Sequence, residues 1–327
     1  GCAVVNDYPI LGKTYITSTM PCDGSIGQTT FMGRYFRNLP IYQITPPQRF
    51  NEPEVQEFAV HNLKGCIKFI EDNYGVQWDW DAFWKNAEEY NKSTQAVIDK
   101  WDINCTDYPQ VCGAALSLTR EYEFQGAGCM DPYLYKAQLK TTEMAKKGYE
   151  EDAAKGVKNY RHRAIVWGVQ SQFYFEFLLW LENCWGILPL TDMLSMLSTR
   201  ILSEDDREQA IYDMAWLTEN MIMRNRTHGG YKVLLDQLWE YCQEFNADTV
   251  ILWEHMSCKS LTGLHGQFEE KARQLGIHLI WVSHDLCDPR NMGKQGIRDQ
   301  VNQYMRTVFR EEPLDPSLEV LPDGNSW

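Results

Sequence analysis

A strand that runs directly into a cysteine occurs twice in this chain, and that repetition constrains the fold more than any other feature. Near the start, Thr14 to Pro21 leads into Cys22, Asp23 and Gly24; near the end, Thr249 to Ser257 leads into Cys258, Lys259 and Ser260. In each copy a helical stretch follows and a second apolar strand begins at the same offset. Ile41 lies 19 residues past Cys22, and Ile277 lies 19 past Cys258. Two βαβ units with a cysteine after the first strand predict an α/β protein of two related lobes, with parallel sheets flanked by helices. Ligands of such sheets gather at the carboxyl ends of the strands. Thiolates from the two lobes are therefore expected in one cleft, where a metal cluster would sit.

The pattern along the chain supports that architecture. Tyr15 to Thr17, Thr29 to Leu39 and Ile41 to Ile44 read as strand, helix and strand. A helical insert follows. Pro53 opens a helix to about Tyr74 with Val55, Phe58, Ala59, Leu63, Cys66 and Phe69 at helical spacing. Asp79 to Trp101 reads as a second helix with Phe83, Ala87, Tyr90 and Val97 on one stripe. Residues 107 to 157 continue mostly helical, interrupted by a turn at Gly126 to Cys129. An N-terminal lobe over 1–158 and a C-terminal lobe over 159–327 are expected, with an upstream segment preceding Gly1. In the second lobe, strands at Arg163–Gly168, Ile187–Met193, Val250–Glu254 and His278–Val282 alternate with helices, which is the signature of a covered parallel sheet.

Composition narrows the function classes. The chain has 327 residues, is 44% hydrophobic and has 12 tryptophans, enough for cored domains rather than disorder. Its net charge of −14 lacks the basic footprint of a nucleic-acid binder. Phe173 to Leu190 is the most apolar run, but Glu176, Glu182 and Asn183 break it, so no membrane span is expected. Ten cysteines without a short secreted framework point to a reducing, cytoplasmic setting. The absence of a CxxC pair means that any cluster is assembled from distant cysteines.

Among candidate site residues, Cys22 and Cys258 come first, because both follow strands and sit among small and polar residues. Lys259 beside Cys258 favours its thiolate. His255 and His284 lie at strand ends, where a histidine is commonly a satisfied core residue; His255 can also act as a second-shell hydrogen-bond donor to a cluster sulfur. Asp285, Asp288 and Arg290 read as a structural turn in which Arg290 pairs with a carboxylate. Trp167, Phe173, Tyr174 and Trp180 read as core, although Trp167 with Gly168 could wall an acyl pocket. There is no GxGxxG or GxxxxGK loop, so ATP binding is not expected of this chain.

The run Trp253 to Lys259, followed by a helix, a strand and the turn His284 to Arg290, resembles the 2-hydroxyacyl-CoA dehydratases and the related ATP-dependent benzoyl-CoA reductases. Members are similar in carrying Cys-Lys after a strand, an Asp-x-x-Asp-x-Arg turn after the next, and a final helix with an arginine-bearing face, here Arg298 and Arg306. The resemblance extends from Val4 to Phe309 and is sharpest over 249–309. It implies a heterodimer of homologous sister subunits, each holding a [4Fe–4S] cluster through three cysteines. The iron left without a protein ligand would take the carbonyl of an acyl-CoA thioester. A separate ATP-hydrolysing iron–sulfur activator would supply the electron that makes a ketyl radical and expels water. By the same resemblance Cys22 and Cys258 take two ligand positions. For the third, Cys2 with a shortened spacer, a cysteine upstream of Gly1 and an incomplete cluster all stay open, and Cys287 is a rival at the same sheet edge. A benzoyl-CoA reductase subunit, a non-catalytic cluster-bearing electron-transfer subunit and a metal-free α/β binding protein are the alternatives.

Overall fold

The structure, a computed structural model, describes residues 12–19, 23–35, 39–45, 47, 52–124, 132–193, 199–220 and 230–322. Contacts divide the chain into two compact units, each discontinuous in sequence: Gly1–Lys85 with Leu202–Gly230, and Asn86–Ile201 with Tyr231–Trp327. That grouping does not coincide with a cut between residues 158 and 159.

In the first unit, β1 (Tyr15–Ser18) pairs in parallel with β2 (Ile41–Ile44), Tyr15 opposite Ile41. Between them runs α1 (Asp23–Tyr35). This helix begins earlier than the spacing from Thr29 predicts, at Asp23, and Thr29 turns its hydroxyl back onto Ser25 O at 2.9 Å inside it. Next comes α2 (Pro53–Tyr74), with Pro in its first turn and Gly75 at φ +66° closing its end through a bond to Glu71 O. Val55, Ala59 and Cys66 are buried on it, while Phe58 from the expected stripe is 44% exposed because it falls at the margin of that face. Helix α2 approaches the sheet at Gly65, where any Cβ would run into the Tyr42 hydroxyl that donates to Asn62 O at 2.8 Å. A helix from later in the chain, Arg207–Glu219, packs along α2 with Lys64 paired to Glu208.

Helix α3 (Trp80–Cys105) starts in the first unit and continues into the second, where α4 (Gly113–Phe124) and α5 (Pro132–Lys155) accompany it. Of the Phe83, Ala87, Tyr90 and Val97 stripe only Ala87 is buried. The buried face is instead largely polar, with Asn91, Ser93, Thr94 and Asn104, because α5 and the loops bond to it directly. Gln138 donates to Ser93 O, Thr142 to Ala96 O, and Asn104 to Val111 O and Leu190 O. The Gly126 to Cys129 turn lies outside the described residues.

The second unit is built on four parallel strands, β3 (His162–Trp167), β4 (Ile187–Asp192), β5 (Thr249–His255) and β6 (His278–His284), in the order β4-β3-β5-β6. Strands β3 and β4 are buried at every position, as expected where helices cover both faces. On one face, Ala164, Val166, Ile251, Trp253, Ile280 and Val282 meet α6 (Phe177–Trp180, continued by a π turn to Trp185) and α11 (Lys294–Tyr304). On the other lie α8 (Gly230–Glu244) and α10 (His265–Leu275), joined by the Trp239–Phe268 and Phe268–Trp281 ring contacts. The Arg207–Glu219 helix is α7, and a single turn, α9 (Lys259–Thr262), follows β5. Buried Arg163 closes the amino end of the sheet by donating to the Phe245, Asn104 and Thr106 carbonyls.

Candidate functional site

From β3 the chain turns outward to β4, and it later returns on the opposite side of β3 as β5. The strand order therefore reverses between β3 and β5, and their carboxyl ends mark the crevice where open α/β sheets take ligands. Backbones crowd there. Gly168 follows β3 at φ +94°, and a Cβ at that position would run into the Trp253 carbonyl oxygen of β5. Only glycine satisfies both demands.

Three loops converge at this edge of the second unit. Leaving β3, residues 169–172 cross to the β6 loop, where Gln172 N donates to Leu286 O at 2.8 Å. At the end of β5, Met256 N donates to His284 O, and Cys258 N closes a turn on His255 O at 2.8 Å. Cys258 is half-buried and stands at the N-cap of α9, with no cap bond from its side chain. Thr262 bonds its carbonyl through both N–H and hydroxyl. Lys259 is exposed.

His255 and His284 end β5 and β6 opposite each other in the ladder, with ring centroids 5.7 Å apart. His284 is fully buried, and its Nδ1 donates to Asp285 O at 2.9 Å while Trp253 meets the ring edge-on at 4.8 Å. Burial pushes the His284 imidazole down to about 4, so it is neutral at pH 7. Its Nε2 faces the Val169 backbone without a well-formed hydrogen bond. Among the described residues, Nδ1 of half-buried His255, Oγ of fully buried Ser171 on the β3 loop and Nε1 of Trp253 are also buried without a hydrogen-bond partner.

The β6 turn is structural, as the sequence indicates. Asp285 accepts from Cys287 N and Asp288 N, both at 2.9 Å, and from Asn291 Nδ2 at 2.7 Å, and these bonds hold its carboxyl down at about 2. Arg290 forks onto Asp288 with Nε–Oδ1 at 2.8 Å and Nη2–Oδ2 at 2.6 Å. Arg298 packs over Tyr174 and Trp180, and Arg306 pairs with Glu312 and Glu319. Trp167 is core, fully buried.

Cys2 and Cys22 lie outside the described residues. Cys287 is exposed, and among the described residues no three His, Cys, Asp or Glu side chains gather as a metal site. Cys66, Cys184 and Cys242 are buried in helical packing, and burial pushes the Cys242 thiol up to about 12, which keeps it inert. Among the described residues, the second unit thus brings two cysteines to this sheet edge, half-buried Cys258 on the β5 turn and exposed Cys287 on the β6 loop. Cys258, a thiol on a turn at the crevice, could ligate a metal there, and His255 three residues away in the same turn has a buried Nδ1 without a hydrogen-bond partner among the described residues. Ser171 and the Gly168 approach are features that the sequence reading missed or left unexplained. A glycine directly after an apolar strand is the signal for the second, whereas nothing in the sequence marks Ser171. No helix among the described residues is long and apolar enough to cross a membrane. Comparison with known families matches residues 9–307 to the family described as 2-hydroxyglutaryl-CoA dehydratase, D-component. No curated protein matches the chain. With its matched segment spanning most of its length, the chain belongs to the 2-hydroxyglutaryl-CoA dehydratase D-component family.

Proposed function

We propose that this chain is the iron–sulfur subunit of a 2-hydroxyacyl-CoA dehydratase, holding a [4Fe–4S] cluster through Cys258 together with Cys22 and Cys2. The observation that carries the reading is the position of Cys258 at the carboxyl edge where the strand order reverses, on a turn that begins at His255. The family description supports dehydration of an acyl-CoA over reduction of an aromatic ring. When bound, the cluster supplies one-electron reduction and an iron open to a substrate oxygen. The protein's own contribution is positional. The His255–Cys258 turn fixes where the thiol stands, the Gly168–Trp253 contact fixes the wall opposite, and the Asp285 and Asp288 bonds hold the β6 loop that borders the crevice. The reading includes a homologous sister subunit, a separate ATP-hydrolysing activator and a cytoplasmic setting, which the resemblance implies and the net acidity of the chain does not oppose.

Iron, sulfide and EPR measurements on anaerobically prepared protein test it. About four iron and four sulfide per chain, lost in Cys258→Ser and in Cys22→Ser, are the expected result. Iron-free wild-type protein overturns it. Full iron retention in Cys2→Ser would move the third ligand to another cysteine.

A further inference from the structure

The face of the second sheet covered by α6 and α11 ends, at its carboxyl edge, in a patch of polar atoms that the fold leaves unpaired. Trp253, Val282 and their neighbours on this face are apolar and fully buried, and the next outward positions on β5 and β6 are His255 and His284. A strand that has spent its length on apolar side chains then places imidazoles where another valine or leucine would pack. His284 uses Nδ1 on Asp285 O, and its Nε2 meets only the Val169 backbone. Ser171 Oγ and His255 Nδ1 have no hydrogen-bond partner among the described residues. Leaving a buried donor or acceptor unpaired is unfavourable, and the Ser171 and His255 atoms at this edge are places where an arriving group could form a bond.

Of these residues, His255 is the one that shares a turn with Cys258. It is the first residue of the turn that Cys258 closes, so both side chains leave the same four-residue bend. His284 lies behind it at 5.7 Å and Trp253 backs His284 in turn, so the His255 ring has a packed wall on its inner side. We propose that His255 is a positioning residue whose Nδ1–H would donate a hydrogen bond to a sulfide of the cluster that Cys258 ligates; this rests on the cluster reading above. A donor of that kind stabilises the electron-rich sulfur, raises the reduction potential and slows ligand loss. His255 does not touch the reacting atoms in this assignment.

The test compares His255→Leu with His255→Asn in the full chain, prepared anaerobically. The Asn amide nitrogen occupies nearly the place of Nδ1 and keeps the donor, whereas Leu keeps only the bulk. Iron release to a chelator, the midpoint potential and the EPR spectrum are read alongside the urea midpoint of each variant. The expected result for Leu is iron release about 10–100-fold faster and a lower midpoint potential, with Asn close to wild type. Equal behaviour of Leu and wild type overturns the assignment. Equal impairment of Leu and Asn also overturns it, because it would report packing rather than a donated hydrogen bond. Failure of the underlying cluster reading is separately visible, since it shows as iron-free wild type, and it removes this assignment with it.

Discussion

A side chain at position 168 has no room: the backbone there is in the left-handed region at φ +94°, and the Trp253 carbonyl occupies the place of a Cβ. Gly168→Ala is expected to lose about 2–3 kcal/mol of stability, the sum of backbone strain and a displaced strand end, read as a lower urea midpoint. Asp285 is the residue on which the neighbouring loop depends. Its carboxylate caps two backbone N–H groups and Asn291 at once. Asp285→Ala should raise amide hydrogen exchange at residues 286–291 while leaving the β5 amides protected, because only the loop loses its acceptor. Sequence reading placed both Asp285 and Arg290 in a structural turn, on the expectation that Arg290 pairs with a carboxylate. It could not reveal that His255 Nδ1 and Ser171 Oγ are buried without partners, because burial of a single atom depends on residues far away in the chain.

Among elements, those with their own start and stop signals were legible and those set by neighbours were not. Pro53 and Gly75 bound α2 as the spacing predicts. Asp206 caps α7, accepting from Glu208 N at 2.9 Å and Gln209 N at 3.1 Å. Asp206→Ala should therefore cost about 1 kcal/mol, visible as a lower unfolding temperature of the unit containing α7, while Asp206→Ser should recover most of it. Helix α3 shows the opposite case. Its apolar stripe suggests one buried face, yet the chain buries Asn91, Ser93 and Thr94 instead. Polar residues can be buried there because α5 offers Gln138 and Thr142 to bond its carbonyls, and that complementarity is invisible in either helix alone.

For the whole molecule, His284 at the carboxyl end of the second sheet and His162 at its amino end respond oppositely to pH. At the carboxyl end His284 titrates near 4 when folded, below its unfolded value of about 6.5, mainly through burial. Its neutral form is fully accommodated above pH 6.5. As pH falls toward 4 the unfolded chain takes up a proton that the folded one refuses, and about 3 kcal/mol is lost. At the amino end, burial works to lower His162, but its Nδ1 bond to Asp248 at 2.9 Å, and then Glu311 facing Nε2 at 3.2 Å, raise it overall. Burial lowers His278, whose ring sits against the same Phe309. The His162 contribution is present below pH 6.5 and disappears as pH rises through the folded value. Urea midpoints from pH 4 to 8 should thus show an acid limb that His284→Gln flattens, and an alkaline decline that His162→Asn removes. An acid limb unchanged in His284→Gln would refute the first assignment.

The repeated strand–cysteine–helix–strand pattern was enough to determine the parallel pairing of β1 with β2 and of β5 with β6, because apolar runs of strand length joined by a helix have few right-handed ways to pack. The same residues carried the family resemblance over most of the chain, which the family match supports. Only the tertiary structure decided which helices cover which sheet, how α3 to α5 group with the four-stranded sheet, and which side of β3 receives β5. Those choices rest on contacts between segments distant in sequence, each too weak to be written into any one of them. The strand reversal beside β3 follows from them, and with it the crevice in which Cys258, His255 and Gly168 meet the end of the sheet.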